Sequence, residues 1–171
     1  PEFVEEFLEF CIEHKVYLVS GSDYDKLKEQ LPLEILKACQ IVYACSGNET
    51  YINDQFISKN IWHPPENLLH ILEELITSSK CPVKTSQHIE IRNGMVNFST
   101  IGRNCTLQQR QQYVEWEERS RERHKLIDSV LSPVFPELQF STGGQISIDI
   151  YPKGTGKEQV LDKLEIGRAH V

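Results

Sequence analysis

The chain has 171 residues, a formal net charge of −7 at pH 7 and a pI near 5.4. That length holds one domain, or a small domain with an insertion, and not two full-sized ones. The acidic balance excludes a general nucleic-acid or anionic-membrane binder, whose electrostatics need a basic surface, while leaving room for a local basic pocket. With 39% hydrophobic and 25% charged residues the composition predicts a folded globular chain. Apolar runs such as Val16-Tyr17-Leu18-Val19 are far too short to cross a bilayer. Cys11, Cys39, Cys45, Cys81 and Cys105 are odd in number and scattered, without C-x-x-C. Reduced thiols in a cytoplasmic protein are expected rather than a disulfide framework or a zinc ribbon.

Phe3, Val4, Phe7, Leu8, Cys11 and Ile12 recur at helical spacing between glutamates. The chain starts at Pro1 without Met and is already in that pattern at Phe3, so the natural N-terminus is expected upstream. Val16–Val19 predicts a short strand buried on both faces, ended by Ser20-Gly21-Ser22-Asp23 and followed by a helix over Tyr24–Gln30. Ile41–Ala44 predicts another strand, and Tyr51–Ile57 a hairpin around Asn53-Asp54. After His63-Pro64-Pro65 the texture changes. A helix marked by Leu68, Leu69, Ile71, Leu72, Leu75 and Ile76 precedes strands at His88–Arg92 and Met95–Ser99, joined by Asn93-Gly94, a strong hairpin signal. Thr106-Leu107-Gln108-Gln109 fits a capping box opening one long helix to about Val130. A second hairpin, Leu138–Ser141 with Gln145–Tyr151, turns at Gly143-Gly144. The expected architecture is α/β: a partial Rossmann-like core at 1–59 and 151–164, with an inserted α+β cap containing an antiparallel sheet at 60–150. Residues 165–171, Glu-Ile-Gly-Arg-Ala-His-Val, match the translation of a sequencing-library adapter and are set aside from fold reasoning.

Alternation along Gln145–Tyr151 puts Ile146, Ile148 and Ile150 towards a core, with Ser147 and Asp149 on the other face. By the same rule Ile89 and Ile91 oppose Glu90 and Arg92. Either this face is simply solvated, or it carries Arg92, Ser147 and Asp149 to a ligand. Arg103 precedes the predicted helix N-terminus and Arg110 lies one turn inside it. Cations in a first turn oppose the helix dipole, so two arginines there point to an anion, unless they pair with Glu115, Glu117 or Glu118. Ser20-Gly21-Ser22-Asp23 sits where open α/β sheets bind ligands, and is otherwise an ordinary capped turn. Gly154-Thr155-Gly156-Lys157 lacks the full phosphate-loop pattern, because Glu158 follows the lysine, and a nucleotide is not expected there. Glu117-Glu118-Arg119 and Arg121-Glu122-Arg123 are expected on a solvated helix face. His63, His70, His88 and His124 have no metal-ligand spacing and are expected to be structural.

Taken together, Arg92-Asn93-Gly94-Met95, Ile101-Gly102-Arg103-Asn104-Cys105, Arg110, Gly143-Gly144-Gln145-Ile146-Ser147-Ile148-Asp149 and Lys157 resemble eukaryotic-type phosphomannomutase, a haloacid dehalogenase superfamily family with a large cap. The resemblance covers about Phe3 to Leu164. It implies that Arg92, Arg103 and Arg110 hold the substrate's distal phosphate, that Ser147 and Asp149 contact sugar and phosphate, and that Lys157 neutralises the transferring phosphoryl group. Ser20, Gly21 and Ser22 fall on the family's phosphate loop. Cys45-Ser46-Gly47 and Gly154-Thr155-Gly156-Lys157 replace the family's usual Glu-Asn-Gly and Gly-Trp-Asp-Lys, marking a divergent member.

The implied reaction interconverts mannose 6-phosphate and mannose 1-phosphate through an aspartyl-phosphate and a hexose 1,6-bisphosphate activator, with Mg²⁺. The nucleophilic and acid/base aspartates and the metal ligands are expected outside this stretch. The stretch alone is therefore expected to be inactive and to hold no metal. A cytoplasmic homodimer through the cap is implied, acting on a small hexose phosphate, with Leu68–Ile76 as a candidate interface. The alternatives are a sugar-phosphate phosphatase with the same cap and a non-catalytic phosphosugar-binding protein.

Overall fold

Helical and strand periodicities alternate along the first third of the chain, and the computed structural model, which describes the backbone over residues 2–168 and side chains over 3–164, realises them as α1 (Glu2–Glu13), β1 (Tyr17–Val19), α2 (Tyr24–Gln30), α3 (Leu33–Ala38), β2 (Ile41–Ala44), β3 (Glu49–Ile52) and β4 (Gln55–Lys59). The sheet order is β1-β2-β3-β4, with β1 parallel to β2 and the other pairs antiparallel. Tyr24, Leu27, Leu36, Cys39, Val42 and Ala44 form its core, with Phe7, Leu18 and Tyr51 packed against them. Two expectations are revised. β1 is half-buried among the described residues, where it pairs with β2 alone, rather than covered on both faces. The six-residue α3, which follows Pro32 and buries Ile35 and Leu36, is too short to give a periodic signal.

The chain divides into two compact units, Pro1–Ile61 with Gly154–Val171, and Trp62–Lys153. The second contains α4 (Glu66–Ser78), β5 (Ile89–Arg92), β6 (Met95–Phe98), α5 (Leu107–Ser120), α6 (Glu122–Leu126), a π-helical turn over Ile127–Leu131, α7 (Ser132–Val134), β7 (Leu138–Gly143) and β8 (Ser147–Pro152). Its sheet is antiparallel in the order β5-β6-β8-β7. Gly94 adopts φ +76°, as the tight β5–β6 turn demands. One face of the sheet buries Val96, Phe98, Phe140, Ile148 and Ile150 against Leu68, Leu72 and Leu75 of α4 and against Leu131 and Phe135. Each such side chain contributes about 1.5–3 kcal/mol. Of the candidate interface helix, Leu68, Leu72 and Leu75 thus pack within their own unit, while Leu69, Ile71 and Ile76 are half-buried. Ile91 is 58% exposed although its neighbours face the core, because β5 is an edge strand.

The predicted long helix is also corrected. Thr106 does form a capping box: its Oγ1 accepts from Gln109 N at 3.2 Å, and Gln109 Oε1 accepts from Thr106 N at 2.8 Å. The helix then ends at Ser120, and Arg121 turns left-handed at φ 50°. Tertiary bonds make the break. Ser79 Oγ and Thr100 Oγ1 donate to the two Glu122 carboxylate oxygens at 2.6 and 2.9 Å. Beside them Glu117 and Arg123, expected on a solvated face, form an ion pair at 3.1 Å with side chains only 7% and 13% exposed. Thr106→Ala should cost about 1 kcal/mol of stability in urea unfolding.

The last element, α8 (Gln159–Arg168), runs into the segment read as adapter translation, whose final residues 169–171 lie outside the described residues. Gln159 Nε2 ties it to the 3₁₀ turn Cys45–Gly47, donating to Ser46 O at 2.9 Å and Thr155 O at 2.6 Å. No helix among the described residues is long and apolar enough to cross a membrane.

Candidate functional site

Strand register assembles the candidate site on the sheet face of the second unit opposite its main core. The Asn93-Gly94 turn pairs Arg92 with Met95 and therefore Glu90 with Asn97; β6–β8 pairing continues that row from Asn97 to Asp149. The side chains follow the row. Asn97, almost fully buried, donates from Nδ2 to Asp149 Oδ1 at 2.6 Å and accepts at Oδ1 from Arg103 Nη1 at 2.6 Å. Arg103 Nε also donates to Glu90 Oε2 at 2.9 Å, and Arg92 Nη2 donates to the same oxygen at 2.7 Å. Arg92, Arg103 and Asp149, singled out from sequence, are thus brought together. Glu90 and Asn97, which join them, were missed.

Local constraints hold these groups in place. Gly102, at φ +87°, lets the chain bend ahead of Arg103; a Cβ there would lie 2.5 Å from Ser86 O. Gly143 leaves space for Asp149, whose Oδ2 would lie 2.5 Å from a Cβ at that position. The alternative pairing of the arginines with Glu115, Glu117 or Glu118 is not what forms: Arg103 turns to Glu90, and Glu117 is taken by Arg123. Arg110 lines a cavity of about 360 Å³ with Leu107, Gln111, Val114 and Gln145. Its Nε, like that of Arg92, is buried without a hydrogen-bond partner. Two buried, unpaired cationic donors are costly unless an anion takes them. Ser147 is buried on β8, and its carbonyl accepts from Arg123 Nη1 at 3.3 Å.

The first unit holds the remaining predicted residues. Ser20 Oγ accepts from Ser22 N at 3.1 Å, while the carbonyls of Ser20 and Ser22 accept from Ser46 N and Cys45 N at 2.7 and 2.9 Å. The loop is therefore closed on itself and pinned to a turn in which Cys45, Ser46 and Gly47 all have positive φ. Gly21 meets Ser46 Oγ at an ordinary 3.7 Å. Asp23 caps α2, accepting from Lys26 N at 2.8 Å. Lys157 is exposed in the turn before α8, and no described bond joins it to Ser20, Gly21 or Ser22. The Gly156 N–H donates to the Glu158 carboxylate at 3.1 Å. Lys163 Nζ donates to Gly47 O at 2.6 Å, and burial lowers its pKa.

Among the described residues no group of three or more His, Cys, Asp or Glu side chains could hold a metal ion. His88 is structural, its two ring nitrogens bonded to the carbonyls of Ser99 and Thr85 at 2.8 and 3.1 Å.

An α/β sheet unit interrupted by an α+β unit, whose antiparallel sheet presents paired arginines and a carboxylate, defines a haloacid dehalogenase fold with an inserted cap. Solved structures share it. The C-terminal domain of C. albicans trehalose-6-phosphate phosphatase superposes with a TM-score of 0.59 at 12% identity, covering 96% of this chain and 53% of that one. Sucrose-phosphatase from Synechocystis, in complex with sucrose and phosphate, gives 0.54 at 11%, covering 96% and 64%. The family model for eukaryotic phosphomannomutase matches residues 4–169, and the chain belongs to that family. Phosphomannomutase 1 of Mus musculus and that of Homo sapiens are each 35% identical over 160 residues, covering 88% of this chain. Phosphomannomutase of Dendrobium officinale is 34% identical over 158 residues. The chain spans about three fifths of the length of these relatives, 61–62%.

Proposed function

We propose that the protein containing this chain is a phosphohexomutase interconverting mannose 6-phosphate and mannose 1-phosphate by way of a hexose 1,6-bisphosphate, and that the cap sheet grips the phosphate remote from the reacting one. The observation that carries this reading is the convergence of Arg92 and Arg103 on one acidic oxygen, with Asp149 in the same hydrogen-bonded row. Guanidinium forks match phosphate oxygens in two directions at once. Asp149 and Ser147 would order the sugar hydroxyls beside them. A mutase must hold either phosphate of one bisphosphate while the sugar reverses, and an arginine set that reads phosphate rather than sugar suits that task.

Family membership supports metal-dependent phosphoryl transfer, with Mg²⁺ as the ion, and a homodimer through the cap. No group of three or more His, Cys, Asp or Glu among the described residues could hold the ion, and the part proposed for the cap residues is to grip, orient and desolvate the substrate. Ser20–Ser22 and Lys157 are the proposed contributors from the first unit. Ser22 N and the Ser20 hydroxyl would have to exchange their mutual bond for phosphate.

Phosphorus NMR of the full-length protein with Mg²⁺ and mannose 1-phosphate tests the reaction. Mannose 6-phosphate that forms only when a trace of hexose bisphosphate is added is the expected result. Release of inorganic phosphate instead would make the protein a phosphatase. Arg110→Ala should reduce kcat/KM by about 2 kcal/mol, through one lost charge-assisted contact. An unchanged kcat/KM would remove Arg110 from the site.

A further inference from the structure

Glu90 sits where an arginine cluster built for phosphate has no evident need of an acid. One of its oxygens, Oε2, accepts from Arg92 Nη2 at 2.7 Å and from Arg103 Nε at 2.9 Å. These are short, charge-assisted bonds. All three side chains are largely shielded from solvent, at 28%, 17% and 25% exposure respectively, so the charges are only partly screened. A phosphate oxygen bridging Arg92 and Arg103 would use the same two donors that Glu90 now occupies. Arg92 Nε remains buried and unpaired beside them, so the carboxylate does not satisfy the donors it gathers.

We infer that Glu90 is a resident counter-anion, a positioning residue that holds Arg92 and Arg103 in a phosphate-ready arrangement and gives them up when the distal phosphate arrives. This rests on the proposed mutase reading of the cap site. The exchange is one anion for another on the same donors: the two hydrogen bonds to Glu90 are given up for two to phosphate, with no covalent bond changed and no proton required. It has a kinetic consequence. A carboxylate competing for the arginines weakens phosphate binding, and on release it recaptures them, so the bisphosphate leaves the cap fast enough to turn round. Asn97 does not take part in the exchange, because its two ends are committed to Asp149 and Arg103. It keeps Arg103 in place while Glu90 moves.

The test is Glu90→Gln in the full-length enzyme. The amide keeps the shape and loses the charge. Kd for mannose 1-phosphate, read by calorimetry, should fall at least fivefold, and KM with it. kcat should fall by a similar factor, as release slows, leaving kcat/KM within about twofold. A merely structural role predicts the opposite split, with KM rising and kcat/KM falling. Glu90→Asp, which shortens the reach by one methylene, should shift both constants in the same direction by less. In an Arg92→Ala, Arg103→Ala background Glu90→Gln should have no further effect. Unchanged or weaker binding in Glu90→Gln, while Arg92→Ala and Arg103→Ala still lose affinity, would overturn the role of Glu90 alone. Native affinity in both arginine variants would overturn the cap-site reading itself, and the role of Glu90 with it.

Discussion

Arg103→Ala is expected to be the most damaging single change to activity, lowering kcat/KM of the full-length enzyme by about 3–4 kcal/mol, a few hundredfold. Two effects add. The variant loses a charge-assisted contact to the phosphate, and it leaves Glu90 and Asn97 without the guanidinium that joins them. Glu90 then faces an incoming phosphate with half its compensating charge gone, and like charges oppose binding. Arg103→Lys should recover little, because one ammonium cannot reach Glu90 and Asn97 in the directions that Nε and Nη1 now take. Steady-state kinetics settle it, and a loss below tenfold would mean that the phosphate lies elsewhere.

Glu117→Ala is expected to be the most destabilising. Glu117 accepts from Arg123 N and Nε, and Arg123 Nη1 also donates to Gly144 O at 3.1 Å and to Ser147 O at 3.3 Å. Removing one partner of a buried pair strands the other, at a cost of about 3–5 kcal/mol. In a chain of this size that lowers Tm by about 10 °C. The same change would loosen the break between α5 and α6 and the turn that leads into Ser147, so weaker sugar-phosphate binding should accompany it. Replacing both partners, as Glu117→Leu with Arg123→Met, should recover at least half the stability, since no charge is then left unpaired. A drop below 1 kcal/mol in Glu117→Ala would show that the pair carries little.

Local chemistry is what made much of this legible in the sequence. The capping box at Thr106, the Asn93-Gly94 turn and the alternation of Ile146, Ile148 and Ile150 are satisfied within a few residues, and each forms where the pattern puts it. Glu90 and Asn97 were within reach too. A two-residue turn at 93–94 sets them opposite each other. The link from Asn97 to Asp149 could not be read, because it depends on β8 rather than β7 lying beside β6. The break at Arg121 was hidden for a related reason. A run of Glu and Arg favours an uninterrupted helix by propensity, and what interrupts it is Ser79 and Thr100, distant in sequence, capturing Glu122. Expecting Glu117 and Arg123 at the surface failed likewise, since they pair at six residues' separation across that break.

The central claim is that phosphate is held by three cap arginines, two of which are first held by Glu90. Titrating the full-length enzyme with mannose 1-phosphate while following the ¹H–¹⁵N signals of the arginine Nε–H groups tests it most directly. The account predicts that Arg92, Arg103 and Arg110 shift together with one Kd, Arg92 and Arg110 most strongly because their Nε–H groups are unpaired beforehand, while Arg119 and Arg121 stay still. Shifts confined to other arginines, with these three unmoved at saturation, would contradict it.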